Sequence, residues 1–175
     1  RESATVYYKY NEDGKDEVDN LKPTKDEQKT LENAKWIGFK QQFFTSVIIA
    51  DKSFGSTTIQ TVTNPNSDSI VRTYKANLSI PYASTPTETI GMQMYFGPNH
   101  YKTLKAYNQD LEKQISLGWG IFGWINKGIV IQLFNWLKDF GLHFGLIIFI
   151  LPVVLKLLLS LLTYSSYLSQ ILMKV

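Results

Sequence analysis

The first hundred residues carry short runs of β-branched and aromatic residues, separated by polar, turn-forming segments. Residues of these types fit a pleated, half-buried surface, so each run predicts a strand. Between Tyr74 and Ile80, apolar and polar residues alternate, which is the period of a strand with one wet face. The strands predicted in this way are 5–10, 43–50, 57–63, 74–80 and 88–97. Several short strands at such spacing predict an all-β sandwich.

Residues 11–33 are rich in charged and amide side chains, with Pro23 in their middle, and predict a solvated loop or a modest surface helix. Their acidic side chains raise the possibility of a calcium loop. The glycine and the final glutamate of such a loop are missing at the required spacing, so we expect no metal site here. The acidic residues in question are Asp13, Asp16, Glu17 and Asp19.

A helix is predicted after the last strand. Asn99 is a suitable cap, and apolar residues recur at helical spacing from Leu104 to Ile115. The turn chemistry of residues 64–68, with its proline and asparagines, separates two of the predicted strands.

The pattern changes from Gly128 onward, where apolar residues share one helical face and charged or amide residues occupy the opposite one. A helix of this kind with nearby tryptophans suits the plane of a membrane interface. It is equally typical of a helix that packs on a soluble core, and the segment alone leaves both interpretations open.

The composition of residues 142–162 favours a location within the membrane. These 21 residues are apolar or small except for His143 and Lys156, and about 20 residues are needed to cross a hydrocarbon core of roughly 30 Å. Pro152 removes one backbone donor and predicts a kink near Ile148, which membrane helices tolerate. The sequence therefore predicts a transmembrane helix.

Lys156 lies inside this predicted span. A cation at the centre of a bilayer costs about 2.5–3.5 kcal/mol on insertion scales, so its presence calls for an explanation. One interpretation is a side chain that extends to the nearest interface. The other is a lysine that faces a hydrated cavity lined by protein.

Charge and composition exclude several classes of function. Of 18 basic and 15 acidic residues, only Lys127, Lys138, Lys156, Lys174 and Asp139 follow Leu117, so the net charge of +3 comes wholly from the apolar end. No clustered basic surface for nucleic acid appears. Cysteine is absent, and His100 and His143 lack metal-ligand spacing. With no hydrolase or phosphate-binding motif either, we expect no enzyme, cofactor or metal site.

A series of short motifs runs over most of the chain. They are Trp36 to Phe44 (WIGFKQQFF), Met94 to Pro98 (MYFGP), Gly118-Trp119, Phe134-Asn135-Trp136, and a helix after Leu142 with a basic residue at 156 followed by Leu162 to Tyr167 (LTYSSY). In their order and with similar gaps, these motifs resemble the YidC family of membrane protein insertases, in particular its Bacteroidetes members.

The resemblance implies four regions. Residues 1–116 would be the later part of a periplasmic β-supersandwich that ends in a helix, and 117–140 an interfacial amphipathic helix. Residues 141–163 would be the first transmembrane helix of the insertase core, and 164–175 the start of a cytoplasmic helical hairpin. The start without methionine and the end inside a helical pattern also suggest a fragment.

The implied function is that of an insertase and chaperone in the bacterial inner membrane, working without a chemical reaction. Lys156 would be the basic residue of a hydrated groove that contacts substrate, and Trp119, Trp124 and Trp136 would anchor the neighbouring helix at the interface. The implied partners are nascent membrane proteins, the Sec translocon, membrane lipids and, through parts outside this chain, the ribosome. No direct contact with nucleic acid is expected.

Some positions depart from the family pattern. Members usually carry proline where Leu161 stands and a threonine-like residue in place of Pro152, and the hairpin start is normally basic where Ile171-Leu172 is apolar. An alternative from another class is a membrane-tethered β-sandwich that binds a sugar or peptide, for which the many tyrosines and tryptophans offer stacking surfaces. An insertase gene should continue past Val175 with further apolar spans, whereas a tethered module should end soon after.

Overall fold

The structure, a computed structural model, describes residues 4–64, 72–82, 84, 86–118 and 120–172. From residue 120 on, the described side chains are those of 120, 123–157, 160, 163 and 164. The chain divides into two compact units, Arg1–Ile115 and Ser116–Val175, here called the sheet unit and the helical unit.

The described part of the sheet unit forms two antiparallel sheets. The larger has the strand order β2-β1-β4-β5-β8, and the smaller has the order β3-β6-β7. This arrangement confirms the predicted all-β sandwich. The strands are β1 (Thr5–Glu12), β2 (Lys15–Asn20), β3 (Glu27–Leu31), β4 (Ala34–Lys40), β5 (Phe44–Phe54), β6 (Thr57–Thr63), β7 (Arg72–Leu78) and β8 (Met92–Pro98).

The prediction of a loop or surface helix for residues 11–33 is wrong, because this segment contains β2 and β3. Asp13 and Gly14 form the two-residue turn between β1 and β2, and both have positive φ, 51° and 80°. Asp-Gly is a preferred pair for such a hairpin turn. The charges that suggested a solvated segment belong to an exposed edge strand, where charged side chains discourage pairing with other chains. The predicted turn at 64–68 lies outside the described residues except for Asn64.

Two apolar clusters cover the two faces of the larger sheet. One lies between the sheets and includes the buried side chains of Tyr8, Ile37 and Phe54. The other lies on the opposite face, where Trp36 and Val47 pack with Leu104 and Leu111 from the segment that follows β8. The strand period of two explains this division, since alternate residues of β4 and β5 point to opposite faces.

The continuous helix predicted near Leu104–Ile115 is wrong in detail. The structure has a short helix α1 (Tyr101–Lys105) and a separate 3₁₀ turn (Leu111–Gln114). Between them Asn108 and Asp110 have positive φ, 53° and 62°, so the backbone leaves the helical region. Asn99 does not cap α1; its side-chain amide donates instead to the carbonyls of Gln41 and Gln42.

The described residues of the helical unit begin with α2 (Ile121–Ile125), a π-helical turn (Asn126–Val130) and α3 (Ile131–Asp139), which together occupy the predicted amphipathic region. After a turn at Gly141, with φ 71°, α4 runs over Phe144–Leu172 and contains Pro152. Among the helices of the described residues, none is both long and apolar enough to cross a membrane. The transmembrane assignment of 141–163 therefore stays a prediction.

Candidate functional site

The helical unit has a small buried core between α3 and α4. Leu137 is 6% exposed and Ile147 is fully buried, and the rings of Phe134 and Phe144 stack with their centroids 6.4 Å apart. The amphipathic pattern of α3 places Leu137 toward this core, whereas Lys138 and Asp139 are exposed. Among the described side chains of α4, this contact covers one side and leaves many of the others exposed.

Most of the large apolar side chains described on α4 are exposed. Along the first four turns, the more buried positions recur at helical spacing, and the residues between them face outward. Monomeric soluble proteins rarely expose contiguous apolar patches of this kind, so the surface is suited to a membrane or to a protein partner. The exposed residues are Phe144, Leu146, Ile148, Phe149, Val153, Leu157 and Tyr164.

Lys156 is exposed on this apolar surface. Ser160 and Thr163, which are also exposed, follow it at the fourth and seventh positions, so the three side chains share one stripe of the helix. The stripe is about 10 Å long at 1.5 Å per residue. The Ser160 hydroxyl donates to the carbonyl of Leu157 at 2.8 Å, an internal bond of the type that satisfies hydroxyls in apolar helices.

The polar stripe extends the site beyond the single cation that the sequence analysis singled out. The signal was present as a polar residue every three to four positions, but it is weak when Ser and Thr are treated as small, membrane-compatible residues. Helical geometry, rather than the composition of the span, joins Lys156 to Ser160 and Thr163.

Two of the three tryptophans proposed as anchors are among the described residues. Trp119 lies outside the described residues. Trp124 is 71% exposed on α2, and Trp136 is 58% exposed on α3, where its ring contacts Phe140 edge to face at 4.7 Å. The two described tryptophans are thus both on the surface of the helical unit, while their interfacial role stays a prediction.

The sheet unit holds a network of charges around one buried lysine. The Lys9 ammonium contacts Asp110 at 2.7 Å and Asp16 at 3.2 Å, and Lys35 also contacts Asp16. Burial lowers the pKa of Lys9, but its hydrogen bonds to the two carboxylates raise it more, so the net shift is upward. The hydrogen bond from Lys9 holds the pKa of Asp110 below its usual value. The network is structural, since it fastens the segment after α1 to β1 and β2.

Two of the acidic residues considered for a calcium loop, Asp16 and Asp19, form ion pairs with lysines. Asp16 belongs to the Lys9 network, and Asp19 accepts hydrogen bonds from Tyr8 and Lys29. No group of three potential metal-binding side chains occurs among the described residues.

One groove of about 490 Å³ lies beside the end of β5 in the sheet unit. It is lined by Ala50–Phe54, by parts of the segment between β7 and β8, including Ile80 and Tyr82, and by Met92, the first residue of β8. Its lining mixes apolar and charged side chains. The sequence analysis did not predict it, because no pattern links β5 to the segment before β8.

Comparison with known proteins gives a consistent result. The family model of the YidC periplasmic domain matches residues 2–131. Relatives named "Membrane protein insertase YidC" include proteins from Bacteroides fragilis, 37% identical over 98% of this chain, and Parabacteroides distasonis, 36% identical over 98%. A third, from Azobacteroides pseudotrichonymphae, is 38% identical over 91%.

The chain spans only 28% of the length of each of these three relatives. The family match covers the sheet unit from its second residue and continues into the helical unit as far as Ile131. The similarity to the named relatives extends further, over nearly the whole chain. The chain therefore belongs to the YidC family, of which residues 2–131 represent the periplasmic domain.

Proposed function

We propose that this chain is part of a membrane protein insertase and chaperone, which helps hydrophobic segments of nascent proteins enter and fold in the bacterial inner membrane. The observation that carries the proposal is the exposed Lys156 on an otherwise apolar helix, in a chain whose relatives are named insertases. The polar stripe of Lys156, Ser160 and Thr163 supports the same function.

The physical task of an insertase is to move polar flanks of a hydrophobic segment past an apolar barrier. Transfer of an unpaired polar group into such a medium costs several kcal/mol. A hydrated groove within the membrane shortens the barrier, and a fixed cation retains water and attracts acidic or polar flanks. Lys156 supplies the cation, and Ser160 and Thr163 supply hydroxyls about one and two turns along the same stripe.

This function assigns a membrane position to each region. Residues 1–116 lie in the periplasm, and 117–140 lie along the interface with Trp119, Trp124 and Trp136 as anchors. Residues 141–163 cross the bilayer, and 164–175 begin a cytoplasmic hairpin. The 21-residue apolar sequence from 142 to 162 and the exposed apolar side chains of α4 support this assignment.

The partners that follow are nascent membrane proteins, lipids, the Sec translocon and the ribosome, the last through parts of the full-length protein outside this chain. Insertion can proceed by the protein alone or together with the translocon. No catalytic residue, cofactor or metal is assigned.

The first test is substitution of Lys156 in the full-length protein. Lys156→Leu is expected to reduce insertion of a Sec-independent substrate at least tenfold, and Lys156→Arg is expected to restore most of it because the charge is kept. Lys138→Leu, which removes an exposed cation from α3, is the matched control. Unchanged insertion with Lys156→Leu would contradict the role of the groove cation.

The second test is photocrosslinking from position 156 to a stalled ribosome–nascent chain in native membranes. Crosslinks to the emerging apolar segment are expected if Lys156 faces a substrate groove. Crosslinks to lipid alone, with positions 160 and 163 also silent, would instead favour a lysine that extends to the interface.

The groove beside β5 favours one alternative, a membrane-tethered sandwich that binds a sugar or a peptide. Tyr82 in its lining offers a stacking surface. The two functions predict different lengths of coding sequence after Val175, because a tethered module should end shortly after this residue. Sequencing the gene downstream of this position distinguishes them, and several further apolar spans are the result expected for an insertase.

A further inference from the structure

The chain leaves the sheet unit at one of the two ends of the larger sheet. Thr5 of β1, Lys40 of β4, Thr45 of β5 and Gly97 of β8 pair with one another and form one row across the sheet. Gln114, the last residue of the 3₁₀ turn, is fully buried and accepts a hydrogen bond from Thr45 at 3.0 Å. The chain therefore passes out of the unit beside this row, and this end is here called the exit end.

An exposed aromatic ring lies in the turn between β4 and β5, at the exit end. The backbone amide of Gln41 donates to the carbonyl of Phe44 at 2.8 Å and closes the turn. The backbone amide of Asn99 donates to the carbonyl of Phe43 at 2.7 Å, and its side-chain amide donates to the carbonyl of Gln41 at 2.8 Å. Phe43 lies outside the paired residues of both strands, and its side chain is 67% exposed. The backbone of the turn is thus held in place while the ring of Phe43 is uncovered.

Two lysines lie at the same end, in the loop of residues 21–26 between β2 and β3. Lys22 and Lys25 are exposed, and neither ammonium forms an ion pair within the part of the chain that the structure describes. Arg72 of β7 donates to the carbonyl of Lys25 at 3.0 Å, and the amide of Lys22 donates to Glu27 at 2.7 Å. Asp26 accepts two hydrogen bonds from the end of β6. The acidic side chains are thus bonded internally, whereas the two ammonium groups are available to a partner.

The charges at the two ends of the sandwich have opposite signs. Among the described residues in and beside the connections between strands, basic side chains outnumber acidic ones at the exit end, and the reverse holds at the opposite end. At the exit end they are Lys22, Lys25, Lys40 and Arg72 against Asp26 and Glu27, and at the opposite end they are Lys15 and Lys52 against Glu12, Asp13, Glu32, Asp51 and Glu88. An anionic surface therefore attracts the exit end and repels the opposite end.

We propose that the exit end of the sheet unit rests on the surface of an anionic lipid bilayer, with the ring of Phe43 among the headgroups and the ammonium groups of Lys22 and Lys25 near lipid phosphates. The inference rests on the proposed function, in which residues 117–140, directly after this end, lie along the membrane interface. A single exposed ring is ordinary on a protein surface. Here the ring shares one end with basic side chains and with the exit of the chain, and aromatic and basic residues together are typical of segments that bind membrane interfaces.

The spacing of these groups suits a flat surface. The amide of Leu21 bonds to Val6 of β1, and β1, β4 and β5 follow one another in the sheet. Lys22 and Phe43 are therefore about three strand spacings apart, roughly 14 Å. A lysine close to an anionic membrane strengthens binding about fivefold, which corresponds to about 1 kcal/mol. This attraction decays over a Debye length of about 8 Å at physiological ionic strength, so it orients a domain that the following segment already holds at the membrane.

The first experiment measures the contact of position 43 with lipid in the full-length protein, with any cysteines outside this chain replaced. This chain itself has none. Phe43→Cys carries an environment-sensitive fluorophore, and Glu32→Cys, exposed in the turn between β3 and β4 at the opposite end, is the matched control. The protein is reconstituted in vesicles of phosphatidylcholine and phosphatidylglycerol that contain lipids with a nitroxide on the headgroup.

Quenching by the nitroxide is expected to be at least threefold stronger at position 43 than at position 32. Equal quenching at the two positions would overturn the proposal. Blue-shifted emission at position 43 without lipid quenching would overturn it as well, because the ring would then be covered by protein.

The second experiment tests the charges. The pair Lys22→Glu and Lys25→Glu is expected to reduce the quenching at position 43 at least threefold in the anionic vesicles and to leave it unchanged in vesicles of phosphatidylcholine alone. The pair Lys15→Glu and Lys52→Glu, which changes the charge of the opposite end by the same amount, is the matched control. An equal effect of the two pairs, or no effect of the first pair, would overturn the proposal.

Failure of this inference and failure of the proposed function are separate results. Flotation of the protein with the vesicles at high salt reports whether the protein is anchored in the bilayer, because salt screens attraction between exposed charges. A protein that floats with equal quenching at positions 43 and 32 overturns the inference and leaves the proposed function in place. A protein that does not float contradicts the proposed function, and the inference with it. Insertion itself is measured only by the Lys156 substitutions.

Discussion

The two units of this chain use the same residue types in opposite ways. In the sheet unit, Trp36 is fully buried and its ring nitrogen donates to the carbonyl of Gln109 at 2.8 Å. In the helical unit, Trp124 is 71% exposed, and Phe149 on α4 is 70% exposed. Burial of apolar surface stabilises the first unit in water, whereas the described part of the second unit leaves much of its apolar surface exposed.

The charges follow the same division. In the sheet unit, the Lys9 ammonium contacts the carboxylates of Asp16 and Asp110. These ion pairs connect β1 to β2 and to the segment after α1. In the helical unit, one of the lysines, Lys156, is exposed on the apolar surface of α4. A charge with close partners stabilises the structure, whereas a cation among apolar side chains has a cost that the proposed role of Lys156 would explain.

The strongest test of this comparison is a pair of tryptophan substitutions in the full-length protein. Trp36→Ala is expected to lower the opening free energy of β4 by about 3–5 kcal/mol, because it leaves a large cavity. The same substitution at Trp124 is expected to change the stability by less than about 0.5 kcal/mol. Native-state hydrogen exchange of the β4 and α2 amides measures both. A large loss of stability with Trp124→Ala would show that this ring is buried, either within the helical unit or in the membrane interface proposed for it.

A pair of glycine substitutions tests the packing more finely. A Cβ added at Gly38 would lie 2.6 Å from Oε1 of Gln114, which is fully buried and accepts a hydrogen bond from Thr45. Gly38→Ala is expected to destabilise the sheet unit by about 1–3 kcal/mol through overpacking. Gly128→Ala, in the helical unit, is the control, because no atom lies within 4 Å of its added Cβ.

The relief of this overpacking is also measurable. Gln114→Ala makes room for the new methyl group and removes a buried side-chain nitrogen for which the described residues offer no hydrogen-bond partner. The double variant is therefore expected to be more stable than the sum of the two single effects, with a coupling of at least about 0.5 kcal/mol by hydrogen exchange. Simple additivity would mean that the Gly38 effect has another origin.

The last prediction concerns the dependence of stability on pH. The pKa of Asp110 is lowered in the folded protein by its hydrogen bond from Lys9, so its contribution to stability is present above the unfolded value near 3.9. The sheet unit is expected to lose on the order of 1 kcal/mol as the pH falls below about 4, because the carboxylate is a third exposed and partly screened. Asp110→Asn should reduce this pH dependence, measured by denaturant unfolding at pH 7 and pH 3. An unaltered pH dependence would exclude the contribution of this carboxylate.

Local patterns predicted the strands well where the period of two is strong. β6 has the bounds expected from the sequence, and β7 and β8 lie within a few residues of theirs. The hairpin at Asp13-Gly14 was overlooked because the charges around it suggested a solvated segment. In physical terms, the turn chemistry of two residues specified the structure more strongly than the polarity of their neighbours.

The prediction of a continuous helix after β8 was wrong for the opposite reason. Its apolar spacing was helical, but Leu104 and Leu111 each pack on the larger sheet, and the backbone between them turns at Asn108 and Asp110 to let both do so. Tertiary burial of two leucines outweighs the modest preference of an intervening short segment for helix.

The sequence by itself determined the fold class of the first unit, the helical character of the second and the family to which both belong, because periodicity, turn residues and ordered motifs are local properties of the chain. Only the tertiary structure decided that Lys9 is a buried structural ion, that α1 ends early and that the chain leaves the sheet unit beside Thr45. Those properties depend on contacts between residues far apart in the chain, such as Lys9 with Asp110 or Thr45 with Gln114, and no local pattern carries the free energy of a long-range contact.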